Sequence, residues 1–266
     1  MFNLMHELFK DKDTGVFTFS AFSLCHIIYL LLIIGGIILV IFLYKNKTQE
    51  AKTKLITTTV TIAFALYIAD FFLMPFATGT IDIGKLPFHL CTLMSVMCFV
   101  VRHNKKMEVF KTAFTLLGLI GGLMYITYPA GVAQADGYSY RIVQTVIYHG
   151  LMIAQGVFAL VFDDLDLSWK NFKYDVIAVL AVAVWAYIGN TLYSGSNFWL
   201  SYENDFNWFF VKHDGLYLID DEKDAFIAPL MSVSSVLAIS ALLRLIAIKL
   251  KSLFVKEQVL EAEKEA

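Results

Sequence analysis

The stretch SAFSLCHIIYLLLIIGGIILVIFL, residues 20–43, decides the fold because it contains no Asp, Glu, Lys or Arg. A bilayer core of roughly 30 Å needs about 20 apolar residues in a helix that crosses it, so this stretch predicts a transmembrane helix. Six further apolar blocks follow, at residues 55–76, 86–101, 109–128, 142–162, 174–193 and 225–248. We therefore predict an all-α fold: a polytopic bundle of seven transmembrane helices that forms one integral membrane domain over residues 1–266.

The overall composition points the same way. Of the 266 residues, 58% are hydrophobic and 17% are charged, and the mean hydropathy is +0.66. Soluble domains carry about a quarter charged residues, so a soluble enzyme and a disordered chain are excluded. Lys and Arg number 21 against 23 Asp and Glu, which lacks the basic excess of a nucleic-acid binder. We expect membrane lipids as partners and no nucleic acid.

Positive charges are concentrated in alternate loops. Fifteen of the 21 Lys and Arg residues lie after the first, third and fifth blocks or in the C-terminal flank. Because cytoplasmic loops carry the excess of Lys and Arg, we predict an external N-terminus and a cytoplasmic C-terminus in a multi-pass plasma membrane protein. The block at residues 86–101 is short, which predicts a position shielded by neighbouring helices. Arg244, near the cytoplasmic end of the seventh block, is expected to snorkel towards water.

Six of the predicted helices place polar side chains near one membrane surface. At 1.5 Å per residue, these groups fall within about 12 Å of the outer face. They are His26, Asp70, His89, Cys91, Tyr125, Tyr128, His149 and Asn190. Polar residues inside a bilayer are costly and usually face a cavity or one another, so the pattern predicts a water-accessible site open to the outer leaflet. Scattered interhelical hydrogen bonds are the alternative interpretation.

Cys91 is the candidate nucleophile. It follows Pro87, a favourable first residue of a helix, and the positive N-terminal end of a helix stabilises a thiolate. The alternative is an inert packing group, which is the interpretation we give to Cys98. All three cysteines, including Cys25, fall inside apolar blocks, which argues against a disulfide framework.

His149 is the candidate base, because the rest of its helix face is small or apolar. A hydrogen bond to a neighbouring helix is the alternative role for this imidazole. His89 lies about 200° around the helix from Cys91, so we assign it to structure or substrate positioning, with Asp70 as a candidate partner. His26 is interpreted as an orienting group or a second polar contact.

Two further features concern packing and the membrane interface. Gly118 and Gly122 form a small-xxx-small face that lets helix backbones approach closely, and Tyr125 continues that face. The loop at residues 194–225 is rich in aromatic residues, which is typical of interfacial anchoring. A lid over the site is the alternative interpretation of this loop.

Four short motifs occur in order along most of the chain. They are FS at residues 22–23 followed by His26, LPFHLC at 86–91, RIVQ at 141–144 with YHGL at 148–151, and Asn190 followed by GSNF at 195–198. Together they resemble the motifs of YwaF-type bacterial integral membrane proteins and of eukaryotic transmembrane protein 164.

This resemblance implies acyl chemistry, a cysteine-dependent transfer of a fatty acyl chain onto a lysophospholipid, with Cys91 as nucleophile and His149 as the catalytic histidine. The sequence departs from the pattern at Thr92 and Ala130, where acidic residues are expected. We predict substrate-binding or orienting roles for a wider set of residues: His26, Asp70, His89, Tyr125, Tyr128, Gln144, Asn190 and Asn197.

The first functional hypothesis is a membrane-embedded acyltransferase or acyl hydrolase that needs no cofactor and no metal. His149 would deprotonate Cys91, and the thiolate would attack a phospholipid ester to give a thioester. A lysolipid hydroxyl or water would then take the acyl chain. Asn190, His26 or Tyr128 would hold the oxyanion.

Two alternatives belong to other classes of protein. The first is a zinc-dependent membrane hydrolase that uses His26, His89, His149 and Asp70 as ligands, although the chain has no HxxxH or HExxH spacing. The second is not an enzyme: a transporter, sensor or lipid-binding subunit whose outer cavity holds a small molecule or a lipid headgroup.

Overall fold

The computed structural model describes residues 17–78, 83–127, 129, 135–193, 195–196, 203–204, 206–210 and 221–265. Within these ranges the chain forms seven α-helices: α1 (Leu24–Tyr44), α2 (Gln49–Thr78), α3 (Leu90–His103), α4 (Lys111–Thr127), α5 (Tyr140–Val161), α6 (Phe172–Tyr193) and α7 (Asp221–Glu265). The predicted all-α bundle is confirmed.

Two antiparallel pairs of two-residue strands accompany the helices. Strand β1 (Thr18–Phe19) pairs with β2 (Ala135–Asp136), so that Thr18 lies opposite Asp136. Strand β3 (Gly195–Ser196) pairs with β4 (Glu203–Asn204). The first pair joins the segment before α1 to the segment before α5.

Six of the described helices are long and apolar enough to cross a membrane, and the chain is a multi-pass membrane protein that contacts membrane lipids. The exception is α3, whose 14 residues span about 21 Å. None of its residues 90–102 is exposed, which is the shielded position expected for a short helix. We name the two ends of the bundle the Cys91 end, where α1, α3 and α5 begin, and the Arg102 end. Their orientation in the membrane stays a prediction.

The start of α3 differs from the prediction. Residue 86 was the expected start, but the helix begins at Leu90, because Leu86 to Phe88 form a tight turn in which Phe88 N donates to Leu86 O at 2.7 Å. His89 is the N-cap, and its side chain makes no capping hydrogen bond. The first-turn amides of α3 therefore receive no hydrogen bond from the N-cap side chain.

Helix α4 lies at the centre of the bundle. Every residue from 112 to 122 is buried, and α4 packs against α3, α5, α6 and α7. A Cβ atom added at Gly118 would lie 2.8 Å from Gln155 Nε2, and one at Gly122 would lie 2.9 Å from Ile153 Cγ1. Close helix contact at the predicted small-residue face is thus confirmed.

The prediction that Arg244 snorkels towards water is wrong. Its side chain is fully buried, and the guanidinium on α7 binds the Asp175 carboxylate on α6 through Nε–Oδ2 (2.8 Å) and Nη2–Oδ1 (2.6 Å). Ser240 Oγ donates to the same carboxylate at 2.7 Å. Because a buried charge needs a partner, Asp175 keeps Arg244 inside the bundle.

A second polar cluster marks the Arg102 end. The Asp164 carboxylate, between α5 and α6, forms an ion pair with Arg102 at the end of α3, and Lys111 Nζ lies 3.8 Å away. Thr53 Oγ1 on α2 donates to Asp164 Oδ1 at 3.2 Å. Four segments of the chain therefore meet at this carboxylate.

Candidate functional site

Cys91 occupies the first turn of α3 and is partly buried. Its thiol donates a hydrogen bond to the carbonyl oxygen of Gly121 on α4, with a sulfur–oxygen distance of 3.4 Å. A Cβ atom added at Gly121 would lie 3.3 Å from the sulfur. Because Gly121 has no side chain, the thiol can lie directly against the backbone of α4.

His149 is buried in the middle of α5. The hydrogen-bond partner of Nδ1 shows which ring nitrogen carries the proton. Nδ1 lies 2.8 Å from the carbonyl oxygen of Thr145. Because a carbonyl only accepts, Nδ1 carries the proton of the neutral ring and Nε2 is left with a lone pair. The ring stacks on Tyr125 of α4, with centroids 3.7 Å apart and planes 7° apart. This stacking fixes the plane of the imidazole.

The Cys91 thiol and the His149 backbone lie against consecutive residues of α4. Gly121 contacts the Cys91 sulfur, and the next residue, Gly122, would place a Cβ atom 3.2 Å from the backbone oxygen of His149. The two functional groups share no hydrogen bond, since the thiol points to Gly121 O and Nδ1 to Thr145 O. Sequence reasoning identified both groups and the packing role of Gly122, but not the contact between Gly121 and the thiol.

Tyr148 is a site residue that sequence reasoning missed. Its hydroxyl donates to the backbone oxygen of Cys91 at 2.9 Å. Tyr148, the neighbour of His149 in sequence, therefore helps to position Cys91. The YHGL motif offered the only signal, because it places a phenol next to the candidate base.

His26 is held by the backbone at both ring nitrogens. Nδ1 accepts from Phe22 N at 2.9 Å, and Nε2 lies 2.7 Å from Ile126 O, to which it donates. The ring is 1% exposed. It ties the start of α1 to the end of α4, and its one N–H is already used.

Asp70 and His89 have different neighbours in the fold. The Asp70 carboxylate on α2 forms an ion pair with Lys85, in the turn before α3, and Tyr67 donates to the Lys85 carbonyl at 3.0 Å. The ring of His89 meets Trp208 edge-on, with centroids 6.1 Å apart. These contacts position the polypeptide that leads into Cys91.

Asn190 hydrogen-bonds the aromatic segment 206–210 to α6. Its Nδ2 donates to Trp208 O at 3.2 Å, and Trp208 N donates to its Oδ1 at 2.8 Å. The Trp208 ring is stacked between Phe88 and Phe206, at 4.8 and 4.4 Å between centroids. The amide of Asn190 is thus hydrogen-bonded to backbone, and Trp208 packs against Phe88 and His89, just before α3.

The remaining predicted site residues in the described part of the chain form no hydrogen bond with the Cys91 or His149 side chain. Gln144 is partly buried on α5. The Thr92 hydroxyl donates to the carbonyl oxygens of Leu86 and His89, both at 3.2 Å. Three other residues, Tyr128, Ala130 and Asn197, lie outside the described residues.

Two grooves on the described part of the chain are lined by neither Cys91 nor His149. One, of about 580 Å³, lies beside Thr53 and Thr57, and the other, of about 200 Å³, lies beside Val184 and Tyr187. Within the described ranges, no three His, Cys, Asp or Glu side chains form a group that could hold a metal ion. The proposed zinc ligands are therefore not gathered into one site.

The comparisons with known proteins agree with the motifs. A profile of the TMEM164 family matches residues 19–250. No curated protein and no solved structure shows significant similarity to the chain. Because the profile covers most of the chain, the resemblance drawn from the short motifs is confirmed: the protein belongs to the TMEM164 family.

Proposed function

We propose that this protein is a membrane-embedded acyltransferase or acyl hydrolase that acts on phospholipids, with Cys91 as nucleophile and His149 as base. One observation carries the proposal. The Cys91 thiol donates to Gly121 O, and the His149 backbone lies against the next residue, Gly122, which supports placing the substrate ester at this step of α4.

The tautomer of His149 suits a general base. Nε2 keeps its lone pair because Nδ1 donates to Thr145 O, and a base oriented by a third group is the usual arrangement beside a nucleophile. The thiol's own hydrogen bond, to Gly121 O at 3.4 Å, is a weak one. The proposed mechanism requires the Cys91 side chain to rotate away from this carbonyl and bring the thiol to Nε2.

The proposed reaction has two balanced halves. His149 takes the thiol proton, the thiolate attacks the ester carbonyl carbon, and the C–O bond breaks as the lysolipid oxygen receives that proton. In the second half His149 takes a proton from an acceptor hydroxyl or from water. The acceptor oxygen attacks the thioester, and the departing thiolate regains a proton from His149.

The oxyanion of each half needs hydrogen-bond donors. His26 already uses its one N–H on a backbone oxygen, and Asn190 uses one of its two amide hydrogens in the same way, which makes them poorer candidates for this role. The first-turn amides of α3 are better placed, because His89 provides no side-chain cap and Cys91 lies in that turn. Each oxyanion donor is worth about 3–4 kcal/mol in well-studied enzymes.

The experiment follows the covalent intermediate. Purified protein in lipid nanodiscs is incubated with a phospholipid that carries a radiolabelled acyl chain, and the adduct is mapped by mass spectrometry. We expect a hydroxylamine-sensitive thioester on Cys91, with Cys25 unlabelled in the same sample as the internal reference. Cys91→Ala should abolish the adduct and the transfer of label, whereas Cys25→Ala should keep both.

Two results would contradict the proposed function. If Cys91→Ala transfers or releases acyl chains at the wild-type rate, Cys91 is not the nucleophile. If the wild-type protein binds phospholipid but neither transfers nor hydrolyses it with any acceptor tested, including lysophospholipids and water, the enzymatic proposal is rejected in favour of lipid binding.

A further inference from the structure

Polar side chains follow one face of α3 from the Cys91 end to the Arg102 end. Cys91, Ser95, Cys98 and Arg102 recur at intervals of four, three and four residues, a spacing that places them on the same side of a helix. This face packs against α4, where the Cys98 thiol donates to Phe114 O at 3.2 Å. The polar face is therefore turned into the bundle.

Helix α5 adds an amide to this face at mid-depth. Gln155 Nε2 donates to the Cys98 sulfur at 3.4 Å. A Cβ atom at Gly118 would lie 2.8 Å from the same nitrogen, so the amide fills the notch that this glycine leaves in α4. Thr115 lies one turn from Gly118 on the same side of α4. We name this group the polar column: Ser95, Cys98, Arg102, Thr115 and Gln155.

Several atoms of the polar column have no hydrogen-bond partner on the protein. They are Ser95 Oγ, Thr115 Oγ1, Gln155 Oε1 and two guanidinium nitrogens, Nε and Nη2, of Arg102. The residues Ser95, Thr115 and Gln155 are 4%, 0% and 1% exposed, and the Arg102 side chain is 3% exposed. Among the described buried side-chain nitrogen and oxygen atoms, all but two of those without a protein partner belong to this column.

The hydrogen-bonding capacity of these atoms, as donors or acceptors, indicates which ligand can bind them. Buried polar groups in native proteins are almost always bonded to protein or to internal water. Gln155 Oε1 only accepts, the guanidinium only donates, and the two hydroxyls do both. An anion would suit Arg102 but not the amide oxygen, and a cation would be repelled by Arg102. Water donates and accepts, and it serves every member.

We propose that internal water molecules bind along the polar column, from Arg102 to the region beneath Cys91. Ser95 lies one turn, about 6 Å, deeper than Cys91, and Arg102 lies about 10 Å beyond Ser95. These are separate sites along the column rather than one site, because a single water cannot reach both ends. The proposal does not depend on the chemistry assigned to Cys91.

Radiolytic footprinting tests it on the wild-type protein. Microsecond X-ray exposure generates hydroxyl radicals from bound water, and these oxidise adjacent sulfur atoms. Cys98, a member of the column, shares one buried cluster with Met94 and Met152, and Met94, Cys98 and Met152 are 0%, 2% and 1% exposed. In lipid nanodiscs prepared in ¹⁸O-labelled water, we expect these three to take up ¹⁸O several-fold faster than Cys25, which is 1% exposed and lies outside the column. Uptake no faster than that of Cys25 would overturn the proposal.

A pair of threonine variants tests the same sites by stability. Thr115→Val removes a hydroxyl without a protein partner, and Thr59→Val removes a buried hydroxyl that donates to Leu55 O at 2.9 Å. If water binds Thr115, its variant lowers the Tm by about 2–4 °C and by more than the control does. If the site is dry, removal of an unpaired hydroxyl leaves the Tm unchanged or raises it, and that result alone overturns the proposal.

Discussion

The hydroxyl of Tyr148 donates to the backbone oxygen of Cys91 at 2.9 Å, which joins α5 to the first turn of α3. His149 is the next residue along α5, so one helix turn both holds the candidate nucleophile and presents the candidate base. The relationship makes the positions of the two groups interdependent, and it is the starting point for the first prediction.

Tyr148→Phe removes this hydrogen bond while it keeps the aromatic ring. If Tyr148 positions Cys91, we expect acyl transfer to fall about tenfold, which is about 1.4 kcal/mol, through kcat rather than KM. Steady-state kinetics with a labelled phospholipid provide the measurement.

The matched control for Tyr148 is Tyr67→Phe. Tyr67 is also buried, and its hydroxyl donates to a backbone oxygen, that of Lys85, at 3.0 Å. Both variants should lose similar stability, but only Tyr148→Phe should lose activity. Equal kinetic losses in the two variants would show that Tyr148 acts through general stability.

Gly122→Ala should destabilise the contact between α4 and α5. The added methyl group would lie 2.9 Å from Ile153 Cγ1 and 3.2 Å from the His149 oxygen, which belongs to the backbone of α5. Overpacking of this kind costs about 1–3 kcal/mol. Reversible unfolding in mixed micelles measures the change.

Gly36→Ala is the comparison for Gly122. No atom lies within 4 Å of a Cβ added at Gly36, since this part of α1 faces away from the bundle. Replacing an unpacked helical glycine with alanine stabilises by roughly 0.5–1 kcal/mol, so the two substitutions should shift stability in opposite directions. Shifts of the same sign and size would contradict the close packing of α4 against α5.

Arg244→Met should be strongly destabilising, because it leaves the Asp175 carboxylate buried without its cation. Loss of one partner of a buried ion pair costs about 3–5 kcal/mol. Lys251→Met breaks the ion pair with Asp163, whose side chains are 37% and 73% exposed, and should cost about 0–1 kcal/mol. Thermal unfolding of both variants gives the comparison.

A double variant separates charge from packing in this pair. Arg244→Met combined with Asp175→Leu removes both charges, and replacing a buried pair by apolar residues is often neutral. We expect the double variant to be more stable than Arg244→Met alone. A double variant that is less stable would mean that the pair contributes through its geometry and its bond to Ser240.

Asn190→Ala should release the aromatic segment 206–210 from α6. Two hydrogen bonds to the Trp208 backbone are lost, and we expect Trp208, which is 1% exposed, to become accessible to an aqueous oxidant detected by mass spectrometry. Thr191→Ala serves as reference, since Thr191 bonds only within its own helix, to Tyr187 O at 2.9 Å. Unchanged Trp208 oxidation in the Asn190 variant would show that ring stacking alone holds the segment.

The orientation of the bundle is a prediction that a reporter fusion can test. We propose that the Cys91 end faces outwards, because the loops at the Arg102 end carry most of the Lys and Arg residues. Green fluorescent protein fused after residue 266 should fluoresce, and alkaline phosphatase fused at the same place should be inactive. The reverse pair of results would place the candidate site at the cytoplasmic leaflet.

The sequence by itself determined the helical architecture and the family. Helix number follows from the length and spacing of the apolar blocks, which are local properties: a helix must satisfy its own backbone hydrogen bonds wherever it meets lipid. The start of α3 was misplaced by four residues because the turn at Pro87 depends on contacts with other helices. The small-residue face of α4 was readable because Gly118 and Gly122 share one side of a single helix.

Only the tertiary structure decided which groups meet. Arg244 was expected in water because nothing near it in sequence shows that Asp175, on another helix, would pair with it. The same holds for Asn190, whose amide binds Trp208 across a loop, and for Tyr148, whose partner belongs to α3. Side-chain pairing depends on how helices rotate and cross, and those angles are set by the packing of whole faces, which no single segment of the chain specifies.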